Sequence, residues 1–526
     1  MEKTKIKLFD TTLRDGTQGE KISLSAEDKL RIARRLDEFG MDYIEGGWPM
    51  SNPRDVVFFQ KAAQTEFKHA RLVAFGSTMR VGHSPEQDPN LQALLQAHTP
   101  AVSIFGKSWL LHVNKALRIS PEDNLNLITE SIAFLKAHGK EVIYDAEHFF
   151  DGFKDNPSYA LQTLLAAQRA GADVIVLCDT NGGSLPSEVV AIIQKVKPEL
   201  SVPLGIHAHN DSDLAVANTI VAVQNGCVHV QGTINGYGER CGNANLCSVI
   251  PDLQLKGGFY CVPEENLSKL TALSYFVSEV ANLSHPDNLP FVGKSAFAHK
   301  GGIHVSAVSR DASTYEHVAP EKLGNERRVL VSDLSGKSNI LYKADELNIN
   351  LDQEKVPEIV EKLKHLEYDG YQFEAAEGSL ELLMRKINGE LKDFFNLKGF
   401  RVLIEKNESE EVRAEATIRV LVNGQMEHTA AEGNGPVHAL DNALRKALTK
   451  FFPEISQMHL SDYKVRVLNG AEGTAAKVRV LIDSTADGAS WSTVGVSENI
   501  IEASWQALTD SISYYLLRRK QRRQND

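Results

Sequence analysis

Short apolar segments rich in β-branched residues recur along the first half of the chain, each followed by a stretch with helical spacing. The strand candidates are Ile6–Asp10, Tyr43–Gly46, Leu72–Gly76, Val102–Gly106, Glu141–Asp145, Val174–Cys178, Leu204–His207 and His229–Thr233, eight in all. Helical periodicity fills the intervals, as over Ala26–Phe39, Pro53–Thr65, Pro121–His138, Pro157–Ala170 and Leu185–Val196. Ser120-Pro121, Asn156-Pro157 and Leu185-Pro186-Ser187 put proline near a first helical position, where its missing N–H costs nothing and its fixed φ suits the helix. Eight βα units in succession predict an α/β fold built on a (β/α)8 TIM barrel. The alternative, a doubly wound open sheet, usually has fewer strands, and no G-x-G-x-x-G follows the first one.

The rhythm breaks near residue 260. Thr271–Asn282, Pro357–Leu366 and Ser379–Ile387 have helical spacing, separated by Gly-rich loops at His299-Lys300-Gly301-Gly302-Ile303-His304 and Ser335-Gly336-Lys337-Ser338-Asn339. Beyond residue 397 a repeat emerges, with Ile418-Arg419-Val420-Leu421-Val422 echoed by Val478-Arg479-Val480-Leu481-Ile482. Each copy follows another strand (Phe400–Glu405; Tyr463–Leu468) and precedes a glycine-bearing turn and a helix (His438–Leu448; Asn499–Ile512). Two β-β-β-α units predict a pseudo-symmetric α+β domain. The expected division is a catalytic barrel over residues 1–275, helical linker subdomains over 276–396 and a regulatory, dimerising domain over 397–520.

Charge and composition narrow the function. The chain has 526 residues and a net charge of −12, with both signs interspersed, which argues against a nucleic-acid partner. The run Arg518-Arg519-Lys520-Gln521-Arg522-Arg523 reads as a solvated helix end. Five cysteines, none in a C-x-x-C pair, fit a reducing compartment better than a disulfide framework. No run of about 18 apolar residues speaks for a membrane span, and strand 1 starts too early to leave room for a transit peptide. A cytoplasmic protein is expected.

In a barrel, the residues just after each strand form one mouth, where chemistry belongs. Those positions hold Arg14 and Asp15 after strand 1, Glu147 after strand 5, Thr180 after strand 6 and His207-Ala208-His209 at the end of strand 7. Residues i and i+2 of a strand share a face, so both imidazoles can reach one point. Asp15 on strand 1 and Asn243 beyond strand 8 are barrel neighbours of that point. Two nitrogens with carboxylate and amide oxygen suit a divalent ion with open positions. Arg14 can stabilise an oxyanion beside such an ion, or make a salt bridge with Glu45. Glu147 can act as a base, while Thr180 and Tyr144 can hydrogen-bond a substrate carboxylate. His304 and Tyr315 lie in the linker and read alone as ordinary loop residues. Cys241 reads as a small filler. Met79, Val81 and Phe105 are candidates to line the substrate pocket.

The segments LFDTTLRDGTQGE, IHAHND and GYGERCGNANL resemble the metal-dependent acyl-CoA aldol-type synthases, the family of 2-isopropylmalate synthase and homocitrate synthase. EGGWPMSNPRD, AEHFFDGF, FAHKGGIHVSAV and TYEHV are similar to a longer bacterial-type branch whose 2-oxo acid is pyruvate. The resemblance covers nearly the whole chain. It implies Asp15, His207 and His209 as ligands of a divalent metal ion (Mg2+, Mn2+ or Zn2+), with Asn243 a further ligand or close neighbour. It implies Arg14 as the stabiliser of the developing alkoxide and Glu147 as the base acting on acetyl-CoA. Thr180 and Tyr144 become contacts to the 2-oxo acid. His304 and Tyr315 become a linker pair serving the acetyl-CoA half, often from a partner subunit. Elsewhere in the family the Tyr-to-Glu spacing on strand 5 is one residue shorter than Tyr144 to Glu147. The implied activity is condensation of pyruvate with acetyl-CoA in a homodimer, on a route to isoleucine and with isoleucine as feedback effector. Rival readings are a sister synthase with another 2-oxo acid, an acyl-CoA lyase, or a non-catalytic amino-acid sensor.

Overall fold

The computed structural model describes residues 3–406, 412–468 and 470–525. The chain divides into two compact units, one of Met1–Phe297 with Val318–Arg327, the other of Ala298–His317 with Arg328–Asp526.

The first unit is a closed parallel barrel of eight strands. They are β1 (Lys7–Asp10), β2 (Tyr43–Gly47), β3 (Arg71–Ser77), β4 (Ala101–Lys107), β5 (Glu141–Glu147), β6 (Val174–Asp179), β7 (Leu204–Ala208) and β8 (His229–Gly232). Every strand predicted from the apolar pattern is present. Closure is explicit: Phe9 of β1 pairs with Tyr43 of β2 on one side and with Gln231 of β8 on the other. Strand parity sorts the side chains. Phe9, Tyr43, Val73, Ala101, Ile143, Val174, Val176 and Cys178 form one cluster inside the barrel, while Leu8, Ile44, Leu72, Val102, Tyr144 and Ile175 pack outward under the helices.

Local chemistry sets the helix ends. Ser25 and Ser120 open capping boxes with Asp28 and Asp123 at the starts of Ala26–Phe39 and Pro121–Ala137. Asn156 caps Pro157–Arg169, with proline in the first turn. Two barrel helices beyond those expected also form, Pro89–Gln96 after β3 and Ala215–Gln224 after β7.

In the second unit, His299–His304 is not the loop its glycines predict. Ala298–His299 (β9) pairs with Arg328–Val329 (β10), and Gly302–Val308 is a helix carrying His304. The repeat is real. Asn396–Lys406 (β11), Val412–Val422 (β12) and Gln425–Gly433 (β13) form one antiparallel sheet. His459–Val467 (β14), Val478–Ala486 (β15) and Ala489–Ser497 (β16) form the other. The helices Pro436–Leu448 and Ile500–Asn525 follow them. Alternate residues Ala414, Ala416, Ile418, Val420 and Val422 of β12 are buried, as period two requires. Among the described residues, no helix is long and apolar enough to cross a membrane.

Candidate active site

The strands' C-terminal ends surround a cavity of about 240 Å3 lined by Arg14, Asp15, Trp48, Phe75, Phe105, Asp145, Glu147, Cys178, Thr180, His207, His209 and two outer residues. Asp145 with Glu147, Cys178 with Thr180, and His207 with His209 are i, i+2 pairs, which is how a strand end presents two groups to one space.

Asp15, His207 and His209 offer one ligand atom each within 4.8 Å of one another, all three residues buried. His207 Nε2 stands 3.2 Å from Asp15 Oδ2. Asn243 forms a β-bridge with His209, next to this group. Asp15 Oδ2, His209 Nδ1 and Asn243 Oδ1 are buried without a hydrogen-bond partner. Orphaned buried acceptors are costly, and the Asp15, His207 and His209 ligand atoms, gathered at one point, fit a divalent cation. The electrostatics suit it. Burial would raise the Asp15 carboxyl, but Arg14 and both imidazoles hold it below the ordinary range. Burial, helped by His207, lowers His209 to about 3 and keeps it neutral. Burial would lower His207 too; Asp15 reverses this, so proton and cation compete there.

Arg14 makes the salt bridge with Glu45 and a second one with Asp15. Its Nε meets Glu45 at 2.7 Å, its Nη1 meets Asp15 at 2.7 Å, and the guanidinium lies 3.8 Å above the Phe75 ring. Neither ion pair uses Nη2. Glu45 is positioned by Thr11, whose hydroxyl donates to it at 2.5 Å. The chain then turns sharply at Gly46-Gly47, where Gly47 has φ of +141° and a β-carbon would run into the Asp55 carboxylate. That carboxylate accepts from Trp48 N, and Lys29, buried, pairs with it. The turn sends Trp48 into the cavity. Trp48, Phe75 and Phe105 pack as a trio with ring centres 5.5–5.8 Å apart.

Glu147 lines the cavity, ion-paired with Lys107. The Thr180 hydroxyl accepts from His148 N at 2.9 Å, leaving its own proton for a ligand. Tyr144 is not at the cavity. It sits at odd spacing from Glu147, so it faces outward, fully buried against Gly106 and Ile128. The inward position two residues before Glu147 belongs to Asp145, whose carboxyl burial raises to about 6. The extra residue in the Tyr-to-Glu spacing is the signal that should have pointed there. Of the expected lining residues, Phe105 is present, Met79 is buried in the outer layer and Val81 is half exposed. Cys241 is exposed and does not line the cavity. In the second unit the rings of His304 and Tyr315 face each other at 4.3 Å.

A closed βα barrel with an Asp/His/His cluster and a largely buried arginine at its mouth defines a class, and the chain belongs to the HMGL-like family, matched over residues 5–277. Residues 291–370 match the homocitrate synthase post-HMGL domain-like family, and residues 374–516 the LeuA allosteric (dimerisation) domain. Over nearly its full length the chain is similar to curated (R)-citramalate synthases. It is 58% identical to that of Geobacter sulfurreducens, with 97% of each chain covered. The figure is 56% for Aquifex aeolicus, with 98% of each covered, and 54% for Synechocystis, with 98% of this chain and 97% of that one covered.

Proposed function

We propose that the chain condenses acetyl-CoA with pyruvate and water to give (R)-citramalate and CoA. The observation that carries this reading is the cluster of Asp15, His207 and His209 ligand atoms, two of them on Asp15 and His209 orphaned, in a small cavity closed on one side by three aromatic rings. A divalent ion held by Asp15, His207 and His209, with Asn243 alongside, would polarise the 2-oxo acid carbonyl as a Lewis acid.

The remaining steps fall to side chains. Thr180 donates to the pyruvate carboxylate. The Trp48, Phe75 and Phe105 rings form an apolar wall against which the pyruvate methyl group packs. Glu147 takes a proton from the acetyl methyl group, the work of a general base. The carbanion adds to pyruvate C2, and the Arg14 guanidinium stabilises the charge that develops on the carbonyl oxygen. Water then cleaves the thioester and releases CoA. His304 and Tyr315 serve the acetyl-CoA half, a role supported by their adjacent, exposed rings.

The repeat domain is read as the dimerising regulatory part and isoleucine as its effector. The match of residues 374–516 to an allosteric dimerisation domain supports this. The division into barrel, linker and regulatory domain at residues 275 and 396 stands as part of the same proposal. Free cysteines throughout fit a cytoplasmic enzyme.

The test is incubation with acetyl-CoA and pyruvate, following thiol release and identifying the product by mass. Citramalate formed in step with CoA, lost on chelation and restored by Mg2+ or Mn2+, is the expected result. CoA release unaffected by chelator would overturn the metal assignment. Release without citramalate would overturn the condensation.

A further inference from the structure

Beneath the ligand cluster runs a chain of buried polar groups that the mechanism above does not use. Gln231 on β8 is the register partner of His207 on β7, and its Oε1 lies 2.6 Å from His207 Nδ1. Its Nε2 donates to Asp145 Oδ1 at 3.0 Å, and the Ser103 hydroxyl donates to Asp145 Oδ2 at 2.6 Å. Gln231 and Ser103 are fully buried, and Asp145 is 4% exposed. The three residues come from β8, β5 and β4, so the chain crosses the barrel interior.

The chain has a direction, fixed by what each group is able to donate. A carboxylate only accepts, so Asp145 turns the Gln231 amide with its NH2 inward. That leaves Oε1 facing His207, and an oxygen there demands the proton on Nδ1. The lone pair of the neutral ring is then on Nε2, the nitrogen 3.2 Å from Asp15 Oδ2. Were the amide reversed, its NH2 would meet Nδ1, the ring proton would move to Nε2, and that nitrogen could no longer ligate.

We propose that Ser103, Asp145 and Gln231 form a positioning relay that sets the His207 tautomer and so prepares the barrel mouth to bind a divalent cation. The proposal rests on the metal reading of Asp15, His207 and His209. It assigns a role to residues that touch neither the ion nor, by this account, the reacting atoms.

The experiment is Mn2+ titration of the full-length chain by calorimetry, with thermal melts in the absence of metal to check folding. Wild type is measured beside Gln231→Leu, Asp145→Leu and Asp145→Asn. Removing an outer-shell partner of a ligating histidine typically costs about 10–100-fold in metal affinity. Gln231→Leu should lose about that much. Asp145→Leu should show a comparable loss although Asp145 does not touch His207, because Gln231 is then free to reverse. Asp145→Asn should bind like wild type. Its oxygen still accepts from Gln231, and its amide donates to Ser103, which has rotated to accept. If Asp145→Leu does not fold, Ser103→Ala takes its place, with a smaller loss expected. Gln231→Leu binding as wild type does would overturn the relay. So would Asp145→Asn losing as much affinity as the leucine variant, since charge rather than orientation would then be at work. A wild-type chain that binds no Mn2+ would instead overturn the metal reading itself.

Discussion

Phe105 stands on the cavity side of β4, its ring stacked on Phe75 at 5.5 Å and edge-on to Trp48 at 5.8 Å. It is the member of the trio best suited to removal. Phe75 carries the Arg14 guanidinium on its face at 3.8 Å, and Trp48 is anchored by a 2.9 Å hydrogen bond to Asn90, so losing either disturbs more than the wall. Phe105→Ala opens the cavity while the Arg14 contacts to Glu45 and Asp15 remain. Phe105 is half-buried, so its loss should cost less than the about 3–5 kcal/mol typical of a buried Phe→Ala change. 2-Oxoisovalerate carries two more carbons than pyruvate. Burying them in the new space at about 0.8 kcal/mol each gives about 1.6 kcal/mol, or about 15-fold in relative kcat/KM. The assay is thiol release with each 2-oxo acid at saturating acetyl-CoA, for wild type and variant side by side. The 2-oxoisovalerate-to-pyruvate ratio should rise by about this factor, with thermal stability enough for both measurements. An unchanged ratio, with both rates falling in parallel, would show that the aromatic wall does not choose the substrate.

Two further outcomes follow from the same geometry. Glu147→Gln keeps the cavity's shape and removes the proposed base, so kcat should fall by about 10²–10⁴-fold while calorimetric Mn2+ affinity stays unchanged; equal losses in both would make Glu147 a ligand or a support instead. Asp10, fully buried at the end of β1, accepts from Thr12 N and Thr12 Oγ1, and burial nonetheless raises its carboxyl from 3.8 to about 7. A raised carboxyl destabilises the fold once ionised: the cost is absent below the unfolded value, grows as pH climbs, and is complete above about 7. Asp10→Asn should therefore match wild type in thermal unfolding near pH 4 and exceed it by about 2–4 kcal/mol near pH 8. A stability difference that does not vary with pH would contradict this.

Much of this architecture was legible in the pattern of apolar positions. Eight short strands with helices between them leave few arrangements other than a closed barrel, and closure brings Asp15 next to His207 although almost two hundred residues separate them. The His-x-His pair was readable because period two is a local rule. Tyr144 shows where reading by likeness fails and parity succeeds. Three residues before Glu147 is the wrong face of β5, and Asp145 holds the inward place. Gln231 and Ser103 gave no signal, because a buried amide or hydroxyl in a strand looks like any other polar residue until its partners on neighbouring strands are known. Trp48 follows strand 2 at the mouth, but its role was hidden for a different reason. Its direction depends on the Gly46-Gly47 turn and on the Lys29–Asp55 pair beneath it, contacts that no periodicity encodes. The helix carrying His304 was misread as a loop because its glycines, Gly301 and Gly302, stand at the helix start, with Gly301 the N-cap.

In the proposed function an Asp/His/His metal site and an aromatic wall together select pyruvate for condensation with acetyl-CoA. The most direct test of that selection is the kcat/KM of the wild-type chain for CoA release across pyruvate, 2-oxobutyrate, 2-oxoisovalerate and 2-oxoglutarate, with metal present. A clear preference for pyruvate is expected, falling as the side chain lengthens or branches. A preference for 2-oxoisovalerate or 2-oxoglutarate over pyruvate would contradict it.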